Sequence, residues 1–377
     1  MLKVTAPWAI KITAIKLLIP AVFTIGLHSM ELVILFFTNL ILVLLLAMII
    51  LTVWRAANEK NVGRYRLISG LLIRKAAFFD EEILPGTLIP VKKSVTKLLN
   101  NKFFRKTFTE ELLSAKKNLS GVAGENLKYL YYQLGLEKYA LQNLRRSHWH
   151  LKSKAIQELT LMDMHDLKQD LFVFTNNKNE LVRMEAQVAV VQFSGFDGLA
   201  FLDEITYSIS EWQQMKLLQK LANFPPMLVK IDGWLRSSND SVVLFALKLA
   251  RNFHTFDSHD IIISCLQHDN PRIRLEAIHC LAEIYTPETS VHLISRYWRE
   301  SLVNQLAIIK VLQNIASEDD MTFLVTLMYN VNYDMQLAAA RALAHSGERG
   351  LSLLMKFGAN DDIPNHIILQ VTAELAA

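Results

Sequence analysis

Turn-forming residues are scarce in this sequence: glycine occurs thirteen times and proline nine times in 377 residues, and cysteine only twice. A fold of many short strands needs Gly, Pro, Asn or Asp at each reversal, so the shortage argues against an all-β architecture. Leu, Ala, Lys, Glu and Gln recur throughout, which favours helices. Two cysteines, Cys265 and Cys280, cannot form a disulfide framework, although the count alone leaves a single disulfide open. Both lie in helical contexts, where small apolar core residues are the simpler reading. Also missing are G-x-x-x-x-G-K-[ST], G-x-G-x-x-G, H-E-x-x-H and C-x-x-C, so no familiar phosphate, dinucleotide, zinc or dithiol site is written locally. The expectation is a protein with no catalytic residues, no cofactor and no resident metal. An enzyme would have to assemble its site from distant positions.

Apolar residues, by contrast, are abundant at 51%, and one run concentrates them. From Leu32 to Trp54 the only polar side chains are Thr38, Asn39 and Thr52, and none is charged. As a helix this run is about 34 Å long, enough to cross a hydrocarbon core of about 30 Å. We therefore expect a transmembrane helix over 32–54, with Trp54 at the interface. Arg55, Lys60, Arg64 and Arg66 follow directly, and the positive-inside bias then places the C-terminal body in the cytoplasm, at a bacterial inner membrane crossed once. Residues 1–31 stay open, because Leu17 to Leu27 is a second apolar run after Lys11 and Lys16. It reads equally as a signal sequence, half of a hairpin, an interfacial helix or upstream sequence before Met30.

The net charge of +4 conceals a strong asymmetry. Residues 55–154 hold twenty Lys and Arg against eight Asp and Glu, whereas 155–377 hold seventeen against twenty-seven. A basic segment just after a span is drawn to anionic lipid by about 1 kcal/mol per nearby cation. Residues 55–106 are thus expected beside lipid headgroups, and 55–140 as a basic helical region capping the C-terminal body. In that region Leu112-Leu113, Leu127, Leu130 and Leu134 supply an apolar stripe. Leu119-Ser120-Gly121 with Gly124 marks a break, Gly135 a stop, and Pro85-Gly86 with Pro90 a turn.

The strongest pattern is a repeat over 141–377. Eight similar blocks, such as RMEAQVAV at 183–190 and RLEAIHCL at 274–281, place Ala155, Ala186, Leu217, Ala246, Ala277, Ala307, Ala339 and Val371 in one equivalent position, at steps of 31, 31, 29, 31, 30, 32 and 32 residues. A constant period of this size indicates stacked helical units. One helical turn later each block has a further apolar residue, from Leu159 to Leu375, so a small residue admits the neighbouring helix and a larger one packs beside it. A second apolar helix follows each of the first seven blocks: 167–174, 199–209, 227–235, 261–266, 291–297, 321–329 and 351–357. Asn270 is placed to cap a helix with Pro271 in its first turn, and Asn239-Asp240-Ser241 precedes another. Phe224-Pro225-Pro226 and Thr286-Pro287 separate first helices from second, and Ile367 to Ala377 reads as a terminal cap.

The stretch DNPRIRLEAIHCLAEI (269–284) resembles the first helix of a short HEAT-like repeat, of the kind also found in phycobilisome lyases. Arg183 and Arg274, with Lys152 as a variant, match the Arg three residues before the anchor; Gln214, Val243, Asn304, Gln336 and Ile368 depart from it. The resemblance implies an all-α chain: an N-terminal transmembrane helix followed by an α-solenoid of about seven to eight HEAT-like hairpins. Membrane-anchored chains of this layout also resemble bacterial HEAT-repeat proteins associated with glycosyltransferases and surface-polysaccharide export. That likeness implies a scaffold whose partner is a protein, a membrane glycosyltransferase being one candidate.

Local candidates for chemistry are few. Arg145, Arg146, Lys152 and Lys154 form a basic cluster suited to phosphate, either a lipid headgroup or an acidic partner. A span and an acidic body argue against nucleic acid. His148-Trp149-His150 lacks a third ligand at helical spacing, so Trp149 reads as a packing anchor rather than part of a metal site. Asp319-Asp320 and Asp361-Asp362 fall in breaks and read as caps rather than calcium ligands.

Overall fold

The computed structural model describes residues 7–79, 88–224, 231–359 and 365–376. The turn expected at Pro85-Gly86, the break at Pro225-Pro226, the start of the helix expected from Met227, the Asp361-Asp362 pair and Ala377 lie outside them. Among the described residues every regular element is a helix and there is no strand. The chain divides into two compact units, Met1–Leu136 and Glu137–Ala377.

The first unit is dominated by α1, a continuous helix of 71 residues from Pro7 to Ala77, about 107 Å long at 1.5 Å per residue. It runs unbroken through both N-terminal apolar runs, so these do not fold back as a hairpin. Within it Ile34–Val53 is long and apolar enough to cross a membrane, and none of it is buried against protein. Beyond the apolar stretch the character changes. Ser69, Leu72, Ile73, Ala76 and Ala77 turn one buried face to the unit, while Arg64, Arg66, Arg74 and Lys75 stay exposed. That face packs on α3 (Lys102–Asn118) and α4 (Gly121–Gln133), preceded by the short α2 (Lys93–Leu98). Asn101 caps α3 by accepting from the Phe103 and Phe104 amides. Phe104, Phe108 and Leu112, one turn apart, then form a single buried stripe. The Gln133 amide pairs both ways with the Ile89 backbone at 3.0 and 2.8 Å, and Asn126 donates to Phe79 O at the end of α1. The break falls at Leu119-Ser120, and Gly124 lies inside α4 rather than in the break. Gly135 stops α4 with φ +65°, a left-handed conformation that favours glycine.

The second unit begins with α5 (Leu136–Leu144), whose first residue ends the unit before it. Each of the eight blocks then falls inside one helix: α6 (Trp149–Leu161), α8 (Glu180–Ser194), α9 (Glu211–Leu221), α11 (Asp240–Phe253), α13 (Pro271–Leu281), α15 (Leu302–Ile315), α17 (Tyr333–His345) and α19 (Asn365–Ala376). Between them lie α7 (Lys168–Phe172), a 3-10 helix at Gly195–Asp203, α10 (Asp232–Leu235), α12 (His259–Cys265), α14 (Thr289–Tyr297), α16 (Met321–Leu327) and α18 (Glu348–Ala359). All eight anchor residues are buried, from Ala155 to Val371. The residue one turn later is buried in seven blocks; Leu375 is 42% exposed, on a helix that packs on α17 and α18.

First helices pack against first helices. The pairs α6–α8, α8–α9, α11–α13, α13–α15, α15–α17 and α17–α19 are in contact, and Lys248 of α11 donates to Gln214 of α9 at 2.9 Å. Their relative direction is set by the ends that meet. Asn270 at the start of α13 donates to Asp240 at the start of α11, and Tyr333 stacks on His366 at the starts of α17 and α19. Gln192 at the end of α8 reaches Thr160 O at the end of α6, and Lys220 at the end of α9 reaches Gln192. Neighbouring first helices are therefore parallel.

The second helices depart from the pattern in both directions: α7 and α16 are shorter than expected, α12, α14 and α18 are longer, and the one expected over 199–209 is replaced by the 3-10 helix. The reason is close approach: a Cβ on Gly198 would meet Val190 O at 2.4 Å, so this segment passes directly against the backbone of α8. Gly198→Ala should lower stability by about 1–3 kcal/mol through overpacking. Gly233→Ala, with open space around the added methyl, should be neutral or stabilising. Thermal unfolding followed by circular dichroism compares them, and equal melting temperatures would refute the close-packing account.

Candidate functional site

Many polar groups in this protein are committed to holding the fold, and a site can only be built from the rest. Among the described residues seven helices begin with an Asn or Ser whose side chain accepts a backbone N–H: Asn101, Asn179, Ser210, Asn239, Asn270, Ser301 and Asn332, each such cap contributing about 1 kcal/mol. Four residues after six of these caps a long side chain turns back to a carbonyl just before the helix; after Asn239 the position is Val243, which has no donor to offer. Arg105 reaches Leu99 O, Arg183 reaches Asn177 O and Arg274 reaches His268 O. Gln214, Gln305 and Gln336 do the same to Ile209 O, Tyr297 O and Met328 O. Loop carbonyls facing protein need donors, and either a guanidinium or a primary amide supplies them. Gln214 and Gln336, which break the arginine pattern in sequence, thus keep its function. The legible signal is the spacing of four from an Asn or Ser cap to an Arg or Gln.

Several side-chain bonds between successive helices join residues about as far apart in sequence as the anchor residues are. Gln192–Thr160, Gln213–Met184, Trp234–Asp203, Asn270–Asp240 and Arg341–Glu374 join residues 32, 29, 31, 30 and 33 apart. A further tie at a different spacing centres on Glu300, whose side chain has no solvent exposure. Arg274 Nε lies 2.8 and 3.0 Å from its two oxygens, Arg296 Nε 2.9 Å from one, and Asn304 Nδ2 2.8 Å from the other. Burial alone raises this carboxyl's pKa, but hydrogen bonds from Arg274, Arg296 and Asn304 and the Arg274 charge more than offset it, and the net shift is downward. So fully bonded a carboxylate is a structural tie.

The basic cluster read from sequence divides. Arg145 and Arg146 are exposed after α5, and Lys154 is exposed on α6, but Lys152 holds its ammonium 5.3 Å over the Phe174 ring just after α7. Trp149 is no packing anchor: it is 47% exposed, edge-on to His150. It is the first residue of α6, whose buried face begins only at Ser153. His148 and His150 stack with ring centres 5.6 Å apart. Asp320 is buried in a capping box with Ser317, in keeping with its place in a break. Cys265 and Cys280 are buried and unpaired, and burial pushes their thiols up to about 11 and about 12, leaving them protonated at neutral pH.

One cleft of about 550 Å³ is lined by His259, Asp260, Ile263, Thr286, Pro287, Glu288 and His292. His259 Nε2 is 2.8 Å from Thr289 Oγ1, and its Nδ1 is 3.3 Å from Asp260 Oδ1. The order of hydroxyl, imidazole and carboxylate resembles a nucleophilic triad, but Thr289 has no exposure and already accepts from the Thr286 amide at 2.8 Å. A sealed hydroxyl cannot attack a substrate; here it ties α12 to α14. Among the described residues no group of three or more His, Cys, Asp or Glu is arranged to hold a metal ion.

Two exposed edges of the second unit differ in character. Where first helices begin, Trp298, Leu302, Val303, Tyr329, Val331 and Tyr333 are exposed. Where first helices end and second helices start, the exposed residues are mainly acidic, Asp257, Asp260, Glu283, Glu288, Glu318 and Asp319 among them, with Phe256 and Tyr285 as exposed aromatics beside them. Sequence reasoning misses this contrast because exposure depends on loop direction, not on residue type. Comparison with models of known families and with curated proteins gives no match.

Proposed function

We propose that this chain is a membrane-tethered HEAT-like scaffold, in which Ile34–Val53 spans a bilayer and residues 137–377 form a solenoid that binds another protein. The observation supporting the solenoid is the shared interval: the period of the anchor residues recurs in the side-chain bonds between layers. Stacked units of this kind present many side chains over a long surface, which suits protein recognition better than an enclosed pocket. Supporting the tether are twenty consecutive apolar-rich positions that no part of the chain covers. Exposed Arg64, Arg66, Arg74 and Lys75 beyond the span favour a cytoplasmic body at a bacterial inner membrane. The resemblance to membrane-anchored HEAT-repeat proteins extends the partner to a membrane glycosyltransferase or a component of surface-polysaccharide export.

A second reading has its own observation. Lys92, Lys93, Lys97, Lys102 and Lys106 are exposed in the first unit, and with the α1 arginines they suit anionic headgroups. The test is crosslinking in native membranes at low and high salt. Under the scaffold reading, one protein is captured at both salt concentrations, because protein recognition through packed surfaces resists screening. Capture that vanishes at high salt, or of nothing but lipid, would move the principal role to the basic segment.

A further inference from the structure

We propose that the edge of the second unit formed by the loops entering α15 and α17 lies against the surface of the bilayer. This rests on the tethered reading. Because α15 and α17 pack side by side and Tyr297, just before α15, donates to Met335 at the start of α17, the two loops are neighbours. Together they expose six large apolar side chains, among them Trp298 at 68% and Val331 at 104%. Soluble monomers rarely leave contiguous apolar patches beyond a few hundred Å² in water. The composition narrows the choice of cover. Trp298, Tyr329 and Tyr333 have an apolar body and a polar tip, the combination that settles at the boundary of headgroup and acyl chain. Leu302, Val303 and Val331 supply apolar reach beside them.

Charge selects the same occupant. Within 298–303 and 329–334 the exposed charges are Arg299 and Asp334, which cancel. The opposite edge exposes Glu283, Glu288, Glu318 and Asp319. An anionic leaflet repels that acidic edge and tolerates the neutral aromatic one, so the body has one favoured side toward the membrane. A basic protein partner would choose the acidic edge instead.

The experiment uses the full chain reconstituted in vesicles of phosphatidylcholine and phosphatidylglycerol. Variants with one added cysteine report on each place: Val303→Cys and Val331→Cys on the aromatic edge, Glu283→Cys and Asp319→Cys on the opposite one, and Leu42→Cys on the apolar stretch of α1. Each carries a nitroxide; Cys265 and Cys280 are buried and escape labelling. The expected result is severalfold greater relaxation by oxygen than by an aqueous nickel chelate at 303, 331 and 42, with the reverse at 283 and 319. If 303 and 331 favour nickel while 42 favours oxygen, the docking is overturned and the tether stands. Shielding of 303 and 331 from both reagents means a protein or a second copy covers them, which also overturns it. Nickel access at 42 removes the tether, and the docking with it.

Discussion

A Glu300→Ala chain is expected to lose about 3–5 kcal/mol of stability, because the change strands two guanidinium groups whose partner was a carboxylate without solvent contact. The cost comes from desolvated charge left behind rather than from the lost attraction alone. Arg274→Ala should lose a similar amount, and the double variant less than the sum, since the second removal deletes a charge already orphaned. Urea unfolding measures all three; a loss below about 1 kcal/mol for Glu300→Ala would contradict the buried-tie account. The same group has a pH signature. Its folded pKa lies below the ordinary value of 4.5. The stabilisation is therefore fully present above that value and is lost as pH falls through the folded pKa. Glu300→Gln should flatten this acid limb.

Leu44→Lys together with Leu45→Lys is expected to release the chain from membranes. Each lysine at the centre of a span costs roughly 2.5–3.5 kcal/mol on insertion scales, so the pair disfavours insertion by about 5–7 kcal/mol. Both leucines are about half exposed or more, and in a chain surrounded by water the same substitutions would cost almost nothing and improve solubility. Carbonate extraction of membranes separates the outcomes. Recovery of both parent and variant in the soluble fraction would end the tethered reading.

What is legible in the sequence is periodic. Every anchor from Ala155 to Val371 is buried, each block lies within one helix, Asn270 caps α13 with Pro271 in its first turn, and Gly135 takes a left-handed φ. Spacing and local backbone chemistry dictate all of these. Less legible is whatever depends on which way a side chain leaves its helix. In sequence Trp149 reads as a packing residue, yet it faces water, and Lys152 reads as part of a phosphate cluster, yet it rests on Phe174. Glu300 looks like one more surface acid, and its burial is set by arginines 4 and 26 residues away. The 3-10 helix at Gly195–Asp203 reads as α because a glycine needed for closeness to another backbone looks, in sequence, like any loop glycine.

The length and continuity of α1 have a mechanical side. No hinge separates Ile34–Val53 from the face that packs on α3 and α4, so those helices are joined to the apolar stretch through one stiff rod. A twist or tilt imposed on the apolar stretch would therefore be carried along the helix to α3 and α4.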